Sequence, residues 1–404
     1  MILFALLPSE APYRVDQVMA APWLMAALFC LQLLLAAALS WSAARPRAFA
    51  WRVLAAALLV VTALFFALGS WGTSDVTKLS VWLELSPALS TQGEPFWTLV
   101  APLILRLPYR MAAVHGLVAA GYGLAVILLA RCWRHPAWAG WWCLLLTASP
   151  MLRGFLQNGQ SRQALAVLLM LPLMLMASRL ARMPWGVVAG GTAFSAAVHT
   201  TFPVTVAFAL LPALVSGQAL PGLQGAPPRR LWLWLLLLGM LAVPLAATLG
   251  PVALQKLNTY ATEMQFFSRY SIRREVLVLE AVMAGSVAVA SRLRGLGVRE
   301  LISCPFTRVL GLFALLYLGL QASVASQLWP QITFRLADAA ALFLLISYLA
   351  WLRRHQVPWL VLPALLVTLA YWWFGRILPS ADFLCGQNDQ FLCVPDRWPA
   401  EVRY

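Results

Sequence analysis

Apolar runs of about 20 residues recur along the whole chain, separated by short polar stretches rich in arginine. The runs are continuous rather than alternating. A run of that length forms a helix that crosses a hydrocarbon layer about 30 Å thick. Helices and closed barrels are the only structures that pair their whole backbone in lipid. The pattern predicts spans near residues 20–43, 53–72, 111–130, 138–156, 161–178, 185–198, 201–216, 231–249, 275–291, 306–325, 332–351 and 357–375. The fold class expected is an all-α polytopic membrane protein, a single transmembrane domain over 1–404 with about 12 helices.

Three segments depart from simple hairpins. Residues 73–110 contain FWTLVAPLILRLP, too short to span and suited to an interfacial or re-entrant helix. Residues 250–274 are basic, aromatic and amphipathic, as expected of a loop lying at a headgroup surface. Residues 376–404 form a polar tail. The first apolar run has no cationic segment before it, so it is expected to be a retained span. No repeat of fixed period is evident.

Composition agrees with the pattern. Of 404 residues, 62% are hydrophobic and 11% charged, with mean hydropathy +0.79. A soluble chain of this length needs more charge to cover its surface. The net charge of +15 is scattered between apolar runs, which argues against nucleic acid as a partner. Short basic turns, such as Arg131 with Arg134, Arg292 with Arg294 and Arg299, and Arg353 with Arg354, fall after alternate spans. The positive-inside tendency puts such turns in the cytoplasm. Both ends of the chain then lie outside, where Cys385 and Cys393 are expected to close a short disulfide loop. On that same outer side fall nearly all acids and a second set of cations, which membrane insertion does not require. An anionic substrate held at the outer face accounts for them.

The candidate chemistry sits at helix mouths. In NGQSRQALAVLLML, turn and cap residues precede an apolar run, so Arg162 and Gln163 occupy the first turn of a helix with Arg153 nearby. Free N–H groups and a guanidinium fork together suit phosphate. Interfacial arginines also snorkel to lipid headgroups without further role. His199 ends a small-residue span and is suited to proton transfer, though a lone histidine there is more often structural. Asp75 and Glu94 flank the 73–110 segment, and Glu94 precedes Pro95 where a helix is expected to start. Arg335 and Asp338 share one face of a predicted span, as an internal ion pair or as an anion-binding arginine with its orienting acid. Arg273 and Arg274 precede another span, in which Glu280 lies at comparable depth. No metal-ligand set and no Walker motif is present, and no cofactor is expected.

Taken in order, GTSD, GEPFWTLV, NGQSRQALAVLLML, GTAFSAAVHTTFPV and ITFRLADAAALFLLISYL resemble the EpsG-like branch of the Wzy polysaccharide polymerases over about residues 70–350. The family's N-G-x-R-Q turn is one residue longer here. The resemblance implies a GT-C-like glycosyltransferase of O-antigen or exopolysaccharide synthesis in the bacterial inner membrane, its active site facing the periplasm. Donor and acceptor would both be undecaprenyl-pyrophosphate-linked oligosaccharides, with membrane lipids and a chain-length regulator as further partners. It further implies His199, Asp75 or Glu94 as the catalytic base. Arg153, Arg162, Arg273, Arg274 and Arg335 would hold pyrophosphate, oriented by Asp338 and Gln163. The alternatives are an O-antigen ligase-like transferase and a transporter of lipid-linked oligosaccharides.

Overall fold

The computed structural model describes residues 19–20, 22–43, 48–68, 95–107, 110–150, 152, 161–168, 193–195, 197–199, 274–303, 306–307, 310–311, 314, 330–374 and 392–393. Apart from one small ladder, these residues are helical or in the turns between helices. The expected spans 201–216 and 231–249 lie outside them. So do the tail beyond the ladder and most of the 73–110 and 250–274 segments. The chain forms two compact units, residues 1–171 with 365–404, and residues 172–364.

The first unit is built on α1 (Pro22–Ala43), α2 (Ala48–Leu68), α3 (Pro95–Ile104), α4 (Arg110–Cys132), α5 (Ala139–Ala148) and α6 (Ser161–Leu168). At 1.5 Å per residue α1, α2 and α4 are each about 30 Å long or slightly more, the thickness of a bilayer core. Their outward faces carry Leu34, Trp41, Phe49, Val60 and Leu117 exposed, as a lipid-facing surface requires. Short residues let the helices close. A Cβ on Gly116 of α4 would stand 2.7 Å from the Ala63 carbonyl oxygen of α2, and one on Gly140 of α5 would collide with the Ala36 carbonyl of α1. Leu59, Cys143 and Thr147 surround Gly123 in the same way.

Aromatic packing closes one end of this unit. Phe29, Phe65, Phe66 and Trp372 form a cluster with ring centroids 4.9–6.1 Å apart, and the Trp372 indole N–H donates to the Ala148 carbonyl that ends α5. The predicted span 138–156 is therefore interrupted. α5 stops at Ala148 because Ser149 is extended and Pro150 follows, and proline pushes the residue before it out of the helical region. The Ser149 hydroxyl donates to Leu146 O at 3.0 Å and accepts from Leu152 N–H at 3.3 Å, re-pairing the broken backbone. The predicted span 53–72 begins earlier in the structure. α2 starts at Ala48, which draws Trp51 and Arg52 into the helix, and the Arg131 guanidinium lies over the Trp51 ring at 5.6 Å. A two-residue antiparallel ladder pairs Met19 with Cys393 and Ala20 with Leu392, joining the tail to the chain that enters α1.

Among the described residues the second unit contains α7 (Arg274–Leu293), α8 (Val298–Ser303) and α9 (Pro330–Arg354). Then α10 (Val361–Trp372) leads back into the first unit. The Tyr348 hydroxyl of α9 donates to Leu360 O at 2.6 Å and its ring packs on Phe306. Among the described residues four helices are long and apolar enough to cross a membrane: Trp23–Ala43, Phe49–Leu68, Ala113–Cys132 and Glu275–Leu293. The chain is thus a helical membrane-embedded protein.

Three helices end in one and the same turn. In α4, the left-handed Arg134 (φ 61) donates to Arg131 O at 3.1 Å and His135 to Ala130 O at 2.9 Å. In α7, Gly295 (φ 64) donates to Arg292 O at 3.1 Å and Leu296 to Ser291 O at 2.9 Å. In α9, Gln356 (φ 53) donates to Arg353 O at 3.1 Å and Val357 to Leu352 O at 3.0 Å. This Schellman pattern pairs the carbonyls that a helix C-terminus leaves open. Each turn puts an arginine at the same position, Arg131, Arg292 and Arg353, where its charge complements the helix dipole. After α4 and α9 the copy extends further, into the proline-led 3₁₀ turns Pro136–Trp138 and Pro358–Leu360.

Filling the α2–α4 contact tests this packing. Gly116→Leu is expected to destabilise the protein by about 1–3 kcal/mol or more, because the Ala63 carbonyl is fixed in its helix. A thermal melt in detergent should show a lower Tm than for a surface substitution such as Leu117→Ala.

Candidate functional site

Among the described residues, candidate polar positions occur in both units. In the first unit α6 begins at Ser161, so that Arg162 and Gln163 lie in its first turn. Ser161 itself is the first helical residue rather than the cap. Gln163 is buried and Arg162 half-buried. The Tyr122 hydroxyl of α4 donates to Ala164 O at 2.8 Å, while a Cβ on Gly121 would meet the Leu168 side chain at 2.8 Å. Tyrosine leans toward the N-terminus of its own helix. The later residue of α6 therefore sits further along α4, and the two helices run parallel.

That register puts the first turn of α6 level with the start of α4, where His115 lies. His115 precedes Tyr122 by seven residues, two turns, and so occupies the face of α4 that meets α6. It is fully buried. Sequence reasoning missed it because it stands in an apolar run with no polar neighbour. The signal that finds it is its spacing from Tyr122, on a helix whose glycines let neighbouring helices approach. α3 starts at Pro95, as the Glu-Pro pair predicts, with Trp97 buried and Leu99 and Leu103 exposed. Glu94, Asp75 and Arg153 lie outside the described residues.

In the second unit α7 and α9 run parallel. Arg294 Nη2 donates to Gln356 O at 3.3 Å, and the Ser286 and Tyr348 side chains, separated by the same number of residues, are also within hydrogen-bond reach. Two contacts of equal spacing fix the register over more than two turns. At the other end Arg274 opens α7, and Arg335 and Asp338 lie in the first three turns of α9. Glu280 sits on the inward stripe of α7 with Val276, Leu279, Met283 and Val287, and is only 6% exposed. Ionisable residues at such depth are costly in a membrane and mark functional positions.

His199 is in the second unit, 5% exposed, and its N–H donates to Ser195 O at 2.9 Å at the close of a helical stretch. Arg273, Cys385 and the residues following His199 lie outside the described set, and Cys393 is placed by its ladder. Among the described residues no group of three or more His, Cys, Asp or Glu is arranged to hold a metal ion.

The Tyr122 bond to Ala164 positions α6. Tyr122→Phe removes that donor without a cavity and is expected to cost about 1 kcal/mol, seen as a Tm lower by a few degrees. An unchanged Tm would show that apolar packing alone holds α6. Comparison of the chain with protein families, curated proteins and solved structures finds no match.

Proposed function

We propose that this protein is a Wzy-type polysaccharide polymerase of the bacterial inner membrane, joining undecaprenyl-pyrophosphate-linked oligosaccharides at the periplasmic face. The observation that carries the reading is that Arg274 opens α7 and that Arg335 and Asp338 fall in the first three turns of α9, which puts cations at the mouths of membrane helices. Arginines at helix ends beside lipid suit a substrate whose charge is a pyrophosphate and whose tail is a hydrocarbon. The start of α6, with Arg162 and Gln163, supplies a second anion-binding element. The motif order described above supports the same reading.

In this mechanism an acceptor sugar hydroxyl attacks the anomeric carbon of the donor. The bond to the lipid pyrophosphate breaks, and its electron pair leaves with the phosphate oxygen. A base takes the hydroxyl proton as the new glycosidic bond forms. His199, Asp75 and Glu94 are the candidates for that base. Arg162, Arg274 and Arg335, with Arg153 and Arg273, stabilise the charge that develops on the leaving group, which is worth most in a water-poor site. The energy is stored in the substrate, so no nucleotide site is needed.

A deletion strain analysed for surface glycan tests the reading. Loss of long chains with single repeat units accumulating on the lipid carrier is the expected result. Full-length polymer left on the carrier would indicate a ligase, and repeat units retained in the cytoplasm a transporter. In a complemented strain, Arg162→Ala and Arg335→Ala are each expected to lower chain extension about 10²-fold or more, the usual cost of one charge-stabilising donor. His199→Ala should lower it as well. Wild-type extension by all three variants, at normal expression, would sink the assignment.

A further inference from the structure

The opposite ends of α7 and α9 carry a second basic cluster that the polymerase reading leaves unused. Arg292 and Arg294 from the end of α7, Arg299 from α8, and Arg353 and Arg354 from the end of α9 collect around two matching turns. Arg292, Arg294, Arg299 and Arg354 are exposed and Arg353 is half-buried. The Arg294 bond to Gln356 O ties one turn to the other. A single acid, Glu300, belongs to these segments, and its Oε2 accepts from Gly297 N–H at 3.2 Å at the start of α8.

His355 reports the local field. Burial first, then the charges of Arg354 and Arg294, hold its imidazole below the ordinary value, with Glu300 pulling the other way. Two guanidiniums from different helices thus act on one side chain. Topogenic signals ask only for an excess of cations near span ends. They do not ask for turns tied together so that guanidiniums of two helices converge on one side chain.

The same segments carry exposed apolar side chains. Leu293 is 69% exposed, Val298 73%, Ile302 60% and Trp359 49%. A free soluble anion would satisfy the arginines and leave these four side chains unmatched. A phospholipid satisfies both, with its phosphate among the guanidiniums and its acyl chains along the apolar side chains. We infer that the paired turns of α7 and α9 form a binding site for an anionic phospholipid, the headgroup phosphate between Arg294 and Arg354.

The test uses the full-chain protein in detergent, with lipid retention read by native mass spectrometry. Phosphatidylglycerol should be retained in clear preference to phosphatidylcholine, and an equal concentration of inorganic phosphate should not displace it. Arg354→Gln leaves the Arg294 bridge in place and is expected to weaken phosphatidylglycerol retention about fivefold, the usual effect of one basic residue at an anionic surface. The Arg294→Gln, Arg354→Gln double variant should bind more weakly still, with circular dichroism confirming its fold. Arg131→Gln, at the equivalent turn of the other unit, should bind as wild type. Equal retention of the two lipids, displacement by phosphate alone, or an Arg131→Gln loss as large as that of Arg354→Gln would each overturn the inference.

Discussion

Hydrocarbon offers no partner to a backbone amide or carbonyl, and the described structure is governed by that absence. Within helices the ladder pairs itself, so the demand falls on helix ends. Three Schellman turns meet it at Arg134, Gly295 and Gln356, two of them at the cost of a left-handed residue with a side chain. Where α5 stops early, the Ser149 hydroxyl and the Trp372 indole take over the same duty. The positions of the chemically interesting residues follow from these closures, because each one sets where the next helix begins.

Charge is distributed along α7 and α9 according to the same economy. Their shared register keeps the inward stripe apolar from Met283 to Ala290, interrupted by Ser286, and sends the arginines to the two ends. Glu280 is the exception, an acid on the buried stripe about 9 Å along the helix from Arg274. One pair of helices therefore presents cations at both of its ends while carrying little charge between them. The two ends differ in company. Asp338 follows Arg335 in the opening turns of α9, whereas exposed apolar side chains accompany the arginines at its end.

The long helices were legible in the sequence because their signal is bulk hydrophobicity. α1, α4, α7 and α9 start and stop within a few residues of the expected limits. The start of α6 was legible through turn residues ahead of an apolar run, and that of α3 through Glu-Pro. The break after Ala148 was not, since Ser149 and Pro150 sit in a run that stays apolar on both sides. Nor was the recurrence of the turn, because its copies share little beyond one arginine and, in two cases, a proline. Backbone geometry repeats there while side chains diverge. His115 escaped for a related reason: a polar residue surrounded by apolar ones gains meaning only from the neighbour its face meets, and Ala164 is far away in the sequence.

The first unit is discontinuous along the chain, and the bond from Trp372 to Ala148 spans that gap. A ribosome releases Ala148 more than two hundred residues before it reaches Trp372. During that interval the cluster of Phe29, Phe65 and Phe66 waits without its fourth ring, and α5 ends without its indole. Closure of the first unit is accordingly a late event in biosynthesis, completed after the second unit has been made and threaded into the bilayer. Contacts between such distant segments are slow to form. Among the described helices, α10 thus acts as a latch on an assembly begun by α1 and α2.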